Sequence, residues 1–113
     1  MMKIAVPVAN GKLTAHFGHC AGFDAYEIAD DGKTVGAKSY ITAPPHEPGL
    51  LPRFLGEQGI SHIIAGGMGQ RARDLFAERG IVVCVGAPAR ETGELVREYL
   101  DGTLITGTNA CDH

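Results

Sequence analysis

Two histidines and a cysteine lie within the five-residue segment HFGHC, near the start of this 113-residue sequence. The side chains of His16, His19 and Cys20 are all soft or borderline metal ligands. Their spacing matches none of the standard zinc patterns, and three donors so close together strain a tetrahedral site unless another segment contributes. The closing segment CDH offers Cys111 and His113 as a second donor pair.

Two interpretations of these donors stay open from the residues alone. In the first, HFGHC and CDH together bind zinc or another divalent ion. In the second, the histidines are solvated or hydrogen-bonded loop residues and the tail is frayed. A nucleophilic role for Cys20, with a neighbouring histidine as base, is the weakest option, because no orienting carboxylate or oxyanion arrangement is identifiable.

A second candidate site is the glycine-rich segment formed by Gly66, Gly67, Met68 and Gly69. It lies between a predicted buried strand and a predicted helix, where unpaired backbone N–H groups and the helix dipole favour an anion. Glycine lets a ligand approach the backbone closely, although glycine turns also serve simply as tight connections. No Walker lysine follows and the spacing differs from GxGxxG, so a nucleotide site is not indicated.

Three further residues extend this second site. Arg71 and Arg73 follow the glycines, and they either add positive charge at an anion site or form a solvated helix face. Gly86 opens a similar junction after the next buried strand, continuing into Ala87 and Pro88. If the two strands are parallel neighbours, both junctions face the same edge of the sheet and frame one crevice.

The hydrophobic pattern predicts the elements that position these residues. Strands are predicted at 3–8, 23–29, 34–43, 62–67 and 81–86, with amphipathic helices within 50–60, 69–81 and 89–102. The glycine-punctuated residues 11–22 are predicted to be a loop. The order of three strands, helix, strand, helix, strand, helix predicts an α/β fold, with a mixed five-stranded sheet and helices on its faces.

Composition excludes several classes of function. The net charge of −3 shows no basic excess for nucleic-acid binding. No apolar run approaches the roughly 20 residues that span a bilayer, and the start lacks the apolar core of a signal peptide, so we expect a cytoplasmic protein without a membrane partner. Three cysteines argue against a disulfide framework, and Cys84 is expected to be a small buried apolar residue. The length predicts a single domain, over 1–103, with 104–113 as a loose tail.

Three segments resemble the dinitrogenase iron–molybdenum cofactor biosynthesis family: KIAVPVANGKLTAHFGHCAGFDAYEI, ISHIIAGGMGQRARDLFAERGIVVCVG and NACDH. The family includes NifX-type carriers, the carboxy-terminal domain of NifB-type proteins and the orange protein of sulfate reducers. Two features carry the resemblance, namely HFG after the first strand and GGMG before a helix that ends at Gly80. The resemblance implies a ribonuclease H-like fold, without nuclease activity, since the paired acidic residues of a two-metal nuclease are not evident.

The function that the resemblance implies is non-catalytic binding of a preassembled metal–sulfur cluster, of molybdenum with iron or with copper. Its partners would be cluster-donating and cluster-accepting proteins. The cluster would lie between the HFGHC loop and the two glycine turns. The alternative is a zinc- or divalent-ion-binding regulatory or interaction module that uses HFGHC and CDH.

Within HFGHC, the resemblance implies His16 as the cofactor contact. We expect Phe17 and Gly18 to shape the wall beside it. His19 and Cys20 become strong ligand candidates if the CDH tail comes near the loop. The sequence leaves the oligomeric state open.

Overall fold

The computed structural model describes residues 2–9, 12–13, 22–42, 50–104 and 106. Within these ranges the chain forms strands and helices in the order β1 Met2–Ala9, β2 Lys12–Leu13, β3 Gly22–Ile28, β4 Val35–Thr42, α1 Leu50–Glu57, β5 His62–Ile64, α2 Gln70–Glu78, β6 Val82–Cys84 and α3 Thr92–Asp101. The five predicted strands and three predicted helices are confirmed. The prediction of a loop over 11–22 is wrong at Lys12–Leu13, because a two-residue strand is too short to show an alternating pattern.

The sheet is mixed, as predicted, and its main strands follow the order β4-β3-β1-β5-β6. β3 is antiparallel to both β1 and β4, whereas β1, β5 and β6 are parallel to one another. β2 pairs with the end of β1. In consequence β1, β4, β5 and β6 all end at one side of the sheet, which we call the carboxyl edge.

Helices cover both faces of the sheet, which explains why its central strand β1 is apolar at every position except Lys3. On one face, Leu55 of α1 and Phe76 of α2 pack into a core with Ala5 and Ile63. On the other face, Leu95 and Val96 of α3 pack against a second set of strand residues, Ile4, Val6, Tyr26, Ile28 and Ile64. We call this second side the α3 face.

The core that contains Phe76 can be tested by its effect on the free energy of unfolding. Phe76 is fully buried, so Phe76→Ala should lower the free energy of unfolding by about 3–5 kcal/mol. The matched control is Val82→Ala in β6, where the side chain is half exposed and the expected loss is about 1 kcal/mol or less. Urea unfolding followed by circular dichroism measures both, and equal losses would contradict this assignment of the core.

Candidate functional site

The two glycine junctions are joined directly to each other at the carboxyl edge. The N–H of Gly86 donates to the carbonyl of Gly66 at 3.1 Å, and the N–H of Ala87 donates to the carbonyl of Ala65 at 3.2 Å. The N–H of Ala65 donates to the carbonyl of Cys84 at 2.8 Å and continues the parallel pairing of β5 with β6, and the bonds from Gly86 and Ala87 join the two turns just beyond it. The prediction that both junctions face one edge of the sheet is therefore confirmed.

Gly86 has a φ of 83°, in the left-handed region, where a side chain on an L-residue clashes with its own backbone. The turn can therefore leave β6 and begin the connection to α3 without strain. Two N–H groups of this turn are not available to a ligand, because those of Gly86 and Ala87 already have backbone acceptors. Any anion at this edge must be bound by other N–H groups.

Those other groups lie in the first turn of α2. Gly69 is the N-cap residue, with a φ of −65° and a ψ of 155°, and no side chain in the described part of the protein caps the helix. The first N–H groups of an α-helix have no acceptor within the helix, and no acidic residue lies in the first turn of α2. Arg71 is exposed, Arg73 is partly exposed, and neither forms an ion pair with any residue that the structure describes. The start of α2 thus combines N–H groups that have no acceptor within the helix with two cationic side chains.

The residues before the helix fix this turn to the core. Gly66, Gly67 and Met68 are all buried, and Met68 is 1% exposed within the core cluster that contains Phe76. A contact between Met68 and a cofactor stays a prediction. The structure places its side chain in the core, so the turn presents its backbone rather than this thioether to the edge.

The chain on both sides of residues 14–21 is tied to the same edge. Val8, near the end of β1, pairs with Leu13 on one side and with Gly22 on the other. Leu13 also donates its N–H to the carbonyl of Arg90, in the connection that follows Gly86. Because neighbouring strands lie about 4.8 Å apart, these two anchors are separated by about 10 Å.

The predicted ligands themselves lie outside the described residues. This applies to His16, Phe17, Gly18, His19 and Cys20 and to Cys111 and His113 of the tail. The structure brings Gly66, Gly67, Gly69, Arg71 and Gly86 to one edge, but it does not test their contact with the loop or the tail. Among the described residues, no group of three or more histidine, cysteine, aspartate or glutamate side chains could hold a metal ion.

A polar cluster at the first turn of α3 was missed by sequence reasoning. The carboxylate of Asp24 is 7% exposed and accepts a hydrogen bond from the hydroxyl of Thr92, at 2.6 Å. Asp24 lies on β3 at the same parity as Gly22 and Tyr26, which face α3. A charged residue at an inward position of a strand is the signal that could have revealed this cluster.

Cys84 lies on the α3 face of β6, next to Ile64. It is half-buried, and burial raises the pKa of its thiol above the usual value, so it is a weak nucleophile at neutral pH. Nearby, the rings of His62 and Tyr99 pack edge to face, with centroids 6.1 Å apart. The pKa of Tyr99 is raised by burial and then by the neighbouring Cys84. Cys84 was expected to be a small buried apolar residue, and the structure shows it half-buried.

The edge described above belongs to an α/β protein in which two joined glycine turns and a helix N-terminus lie at the same edge of the sheet. The family model described as "Dinitrogenase iron-molybdenum cofactor" matches residues 1–102. The chain therefore belongs to this family, which confirms the resemblance drawn from the HFG and GGMG motifs. An uncharacterized protein of Methanocaldococcus jannaschii is 31% identical over 109 residues, which cover 92% of this chain and 90% of that protein.

Solved structures share the fold. The crystal structure of PH0822 superposes with a TM-score of 0.88 at 24% identity, over 99% of this chain and 100% of that chain. The apo form of the orange protein from Desulfovibrio gigas superposes with a TM-score of 0.72 at 24% identity, over 96% and 95% of the two chains. No helix in the described part of the chain is long and apolar enough to cross a membrane.

The left-handed backbone at Gly86 gives a test of the junction. Gly86→Ala should lower the free energy of unfolding by about 1–2 kcal/mol, because Ala is strained at this φ. The control is Gly56→Ala in α1, where the nearest atom to a new Cβ is 4.0 Å away and Ala should stabilise the helix by about 0.5–1 kcal/mol. Urea unfolding measures both, and a change of the same sign in both variants would contradict the assignment.

His62 gives a pH test. Burial lowers the pKa of His62 below its usual value near 6.5, so the unfolded chain binds the proton more readily than the folded one. Its contribution to stability is present above about pH 6.5 and is lost as the pH falls. The free energy of unfolding should therefore drop less between pH 7.5 and 5 in His62→Gln than in the wild type. Equal drops in the two proteins would show that His62 does not contribute.

Proposed function

We propose that this protein binds an anionic metal–sulfur cluster, or its precursor, at the carboxyl edge and carries it without catalysing a reaction. The cluster would contain molybdenum with iron or with copper, and it would pass between a cluster-donating and a cluster-accepting protein. Membership of the dinitrogenase iron–molybdenum cofactor family supports a role linked to such a cofactor.

The observation that carries the proposal is the uncapped start of α2 beside the joined glycine turns. A cluster with net negative charge is stabilised by the partial positive charge of a helix N-terminus and by N–H groups that point toward it. Arg71 and Arg73 add two cations that no described carboxylate neutralises. Such a site recognises charge and size, and it requires no preformed coordination geometry.

In this proposal, residues 14–21, held at Leu13 and Gly22, form the second side of the site. Residues 14–21 join Leu13 to Gly22, and both anchors pair with Val8 at the end of β1. Nine Cα steps span at most about 30 Å, so with ends about 10 Å apart no residue of the loop is further than about 20 Å from either anchor. His16, three residues after Leu13, is then within reach of the edge.

A carrier would need both the cationic start of α2 and the ligands of the loop, because its cargo must bind and later leave. In our proposal the helix N-terminus and the arginines offset the charge of the cluster, while His16, His19 or Cys20 provides a weak ligand bond. A carrier must release its cargo, and a complete tetrahedral set of protein ligands would hold a metal too firmly.

Anaerobic reconstitution tests this function. Wild-type protein is titrated with tetrathiomolybdate plus copper(I), and separately with an iron–sulfur precursor, and charge-transfer absorption bands are recorded. We expect saturable binding of one of these cargoes, with a large loss of affinity in His16→Ala and little change in His62→Gln, which also removes one histidine. If neither cargo binds to the wild type more tightly than to His16→Ala, the proposed function is wrong.

The arginines give a second arm of the same titration. Arg71→Gln should weaken binding by about twofold to fivefold, because the attraction between one exposed cation and an anion is worth up to about 1 kcal/mol. The matched control is Arg97→Gln, which removes an exposed arginine from the last turns of α3. Added salt should weaken binding to the wild type.

Elemental analysis of protein purified without an affinity tag separates this function from the zinc alternative. Molybdenum, copper or iron together with sulfide would support the cluster. One zinc per chain, lost when Cys20, Cys111 or His113 is replaced, would instead support the divalent-ion module and count against our proposal.

A further inference from the structure

The strand β6 lies at the border of the sheet, but it has the composition of a central strand. Among the residues that the structure describes, β6 pairs with β5 alone. Its sequence context over 81–85 is IVVCV, which contains no charged residue. Such continuous apolar runs are typical of strands buried within a parallel sheet. Here, in contrast, Val82 is 50% exposed, and Val83 and Cys84 are partly exposed.

The strand at the opposite border, β4, carries two features that protect an edge strand from pairing with another molecule. Lys38 is exposed in the middle of β4, and the pairing with β3 is irregular between Tyr26 and Ile28. Lysine side chains and bulges are common means by which natural proteins prevent association through sheet edges. The three residues of β6 include no charge, so β6 is the border strand that lacks this protection.

The outer side of β6, which faces away from β5, presents the main-chain groups of Val83. The N–H of Val82 donates to the carbonyl of Ser61 at 3.0 Å, and the carbonyl of Cys84 accepts a hydrogen bond from Ala65 at 2.8 Å. Because the main-chain groups of successive strand residues point to alternate sides, those of Val83 point away from β5. A strand added on the outer side would therefore find one donor and one acceptor at Val83.

A groove of about 300 Å³ lies along the same side of the molecule, between β6 and α2. The α2 residues that line it are three or four positions apart and form one stripe of the helix, namely Gln70, Arg73, Asp74 and Ala77. Arg73 forms no ion pair with a described residue, and Asp74 accepts a hydrogen bond from Gln70 at 2.7 Å. A stripe with one cation beside one anion is complementary in charge to the same stripe in the reverse direction.

We propose that the outer side of β6 binds β6 of a second copy of this chain, forming a twofold symmetric dimer with one continuous sheet. Antiparallel pairing about Val83 gives two main-chain hydrogen bonds between the two copies of this residue. Val82 then lies opposite Cys84 of the second copy, and these side chains cover one another on the α3 face. On the other face the two α2 helices run antiparallel, with Arg73 of each copy beside Asp74 of the other.

Charge complementarity favours a second copy over an unrelated extended peptide. Any peptide in a β conformation can bond to the main chain of Val83, but the occupant of the groove must also present a carboxylate to Arg73 and a cation to Asp74. The reversed stripe of the same chain supplies both by symmetry. Because β6 is only three residues long, the interface is small, and we expect a dissociation constant of roughly 10–100 µM. The dimer does not depend on the proposed cargo.

Sedimentation equilibrium over a range of protein concentrations measures the association. Val82→Lys should weaken it by roughly tenfold or more, because the dimer would bury an unpaired ammonium group beside Cys84. The matched control is Tyr40→Lys in β4, which replaces the other large exposed apolar side chain, 55% exposed, and should change the dissociation constant by less than about twofold. Circular dichroism checks that both variants are folded.

Two results of this measurement overturn the inference. If the wild type stays monomeric up to about 1 mM, the dimer does not form at a meaningful affinity. If Tyr40→Lys weakens association as much as Val82→Lys or more, the contact does not lie specifically at β6.

A charge exchange tests the contact between the two α2 helices. Arg73→Asp and Asp74→Arg should each weaken association by roughly threefold to tenfold, because each places like charges beside one another across the twofold axis. The double variant restores opposite charges and should associate within about threefold of the wild type. If neither single variant weakens association, or if the double variant does not recover, the antiparallel α2 contact is wrong.

An engineered disulfide tests the register and does not depend on the affinity of any charged variant. Opposite residues on either side of a hydrogen-bonded pair have Cα atoms about 4.5 Å apart, which a disulfide can join. Mild oxidation of Val82→Cys should therefore link position 82 to Cys84 of the second copy, giving a covalent dimer on non-reducing electrophoresis. Peptide mass spectrometry locates the bond, and adding Cys84→Ala should abolish it. A dimer without a bond between positions 82 and 84, or no dimer, would contradict pairing about Val83.

Discussion

The pairing of β1 on both of its sides is the constraint on which the carboxyl edge depends. One side is bonded to β3 from Met2 to Val8, and the other side pairs first with β5 and then with β2. Pro7 lies between the β5 pairs at Ile4 and Ala5 and the first β2 pair at Val8, and a proline has no N–H to donate to either neighbour. β2 takes the place beside β1 that β5 leaves when it enters the glycine turn. The exchange of partners places Leu13, the last described residue before 14–21, at the carboxyl edge.

The positive charge at the carboxyl edge comes from groups at the start of α2 and not from the net charge of the chain. The whole chain carries a net charge of −3, so overall attraction would not contribute to the proposed binding of an anion. Arg90 is engaged by Glu98 and Glu94, at 2.6 and 2.8 Å, and these hydrogen bonds raise its pKa further. The positive potential that remains comes from the start of α2 and from Arg71 and Arg73. In the proposed function, a small cationic edge on an acidic protein would favour a compact anion over an extended polyanion.

Sequence patterns predicted the elements because most of them are long enough to show a period and end at glycine. They also predicted that the glycine turns at Gly66 and Gly86 are neighbours, since that follows from parallel pairing of consecutive strands. They missed the loss of the Gly86 and Ala87 N–H groups to backbone pairing, because periodicity says nothing about connections between strands. Asp24 was missed for a different reason. Its partner Thr92 is 68 residues away, and no local pattern reports a contact at that separation.

In the proposed site, the start of α2 recognises the charge of the cargo, and the HFGHC loop supplies the exchangeable ligand. The wall at α2 is rigid, because Met68 anchors it in the core and Gly86 bonds it to the neighbouring strand end, so its N–H groups need little ordering when an anion arrives. The other wall, in our proposal, is a loop held at Leu13 and Gly22 that brings an exchangeable ligand. If the loop were held at one end alone, ordering it would reduce affinity, and if it were replaced by a rigid ligand set, release would be slow. Fixing both ends while leaving the ligand bond weak satisfies the two demands together, and the pairing of Leu13 and Gly22 with Val8, on opposite sides of β1, is the described contact that fixes them.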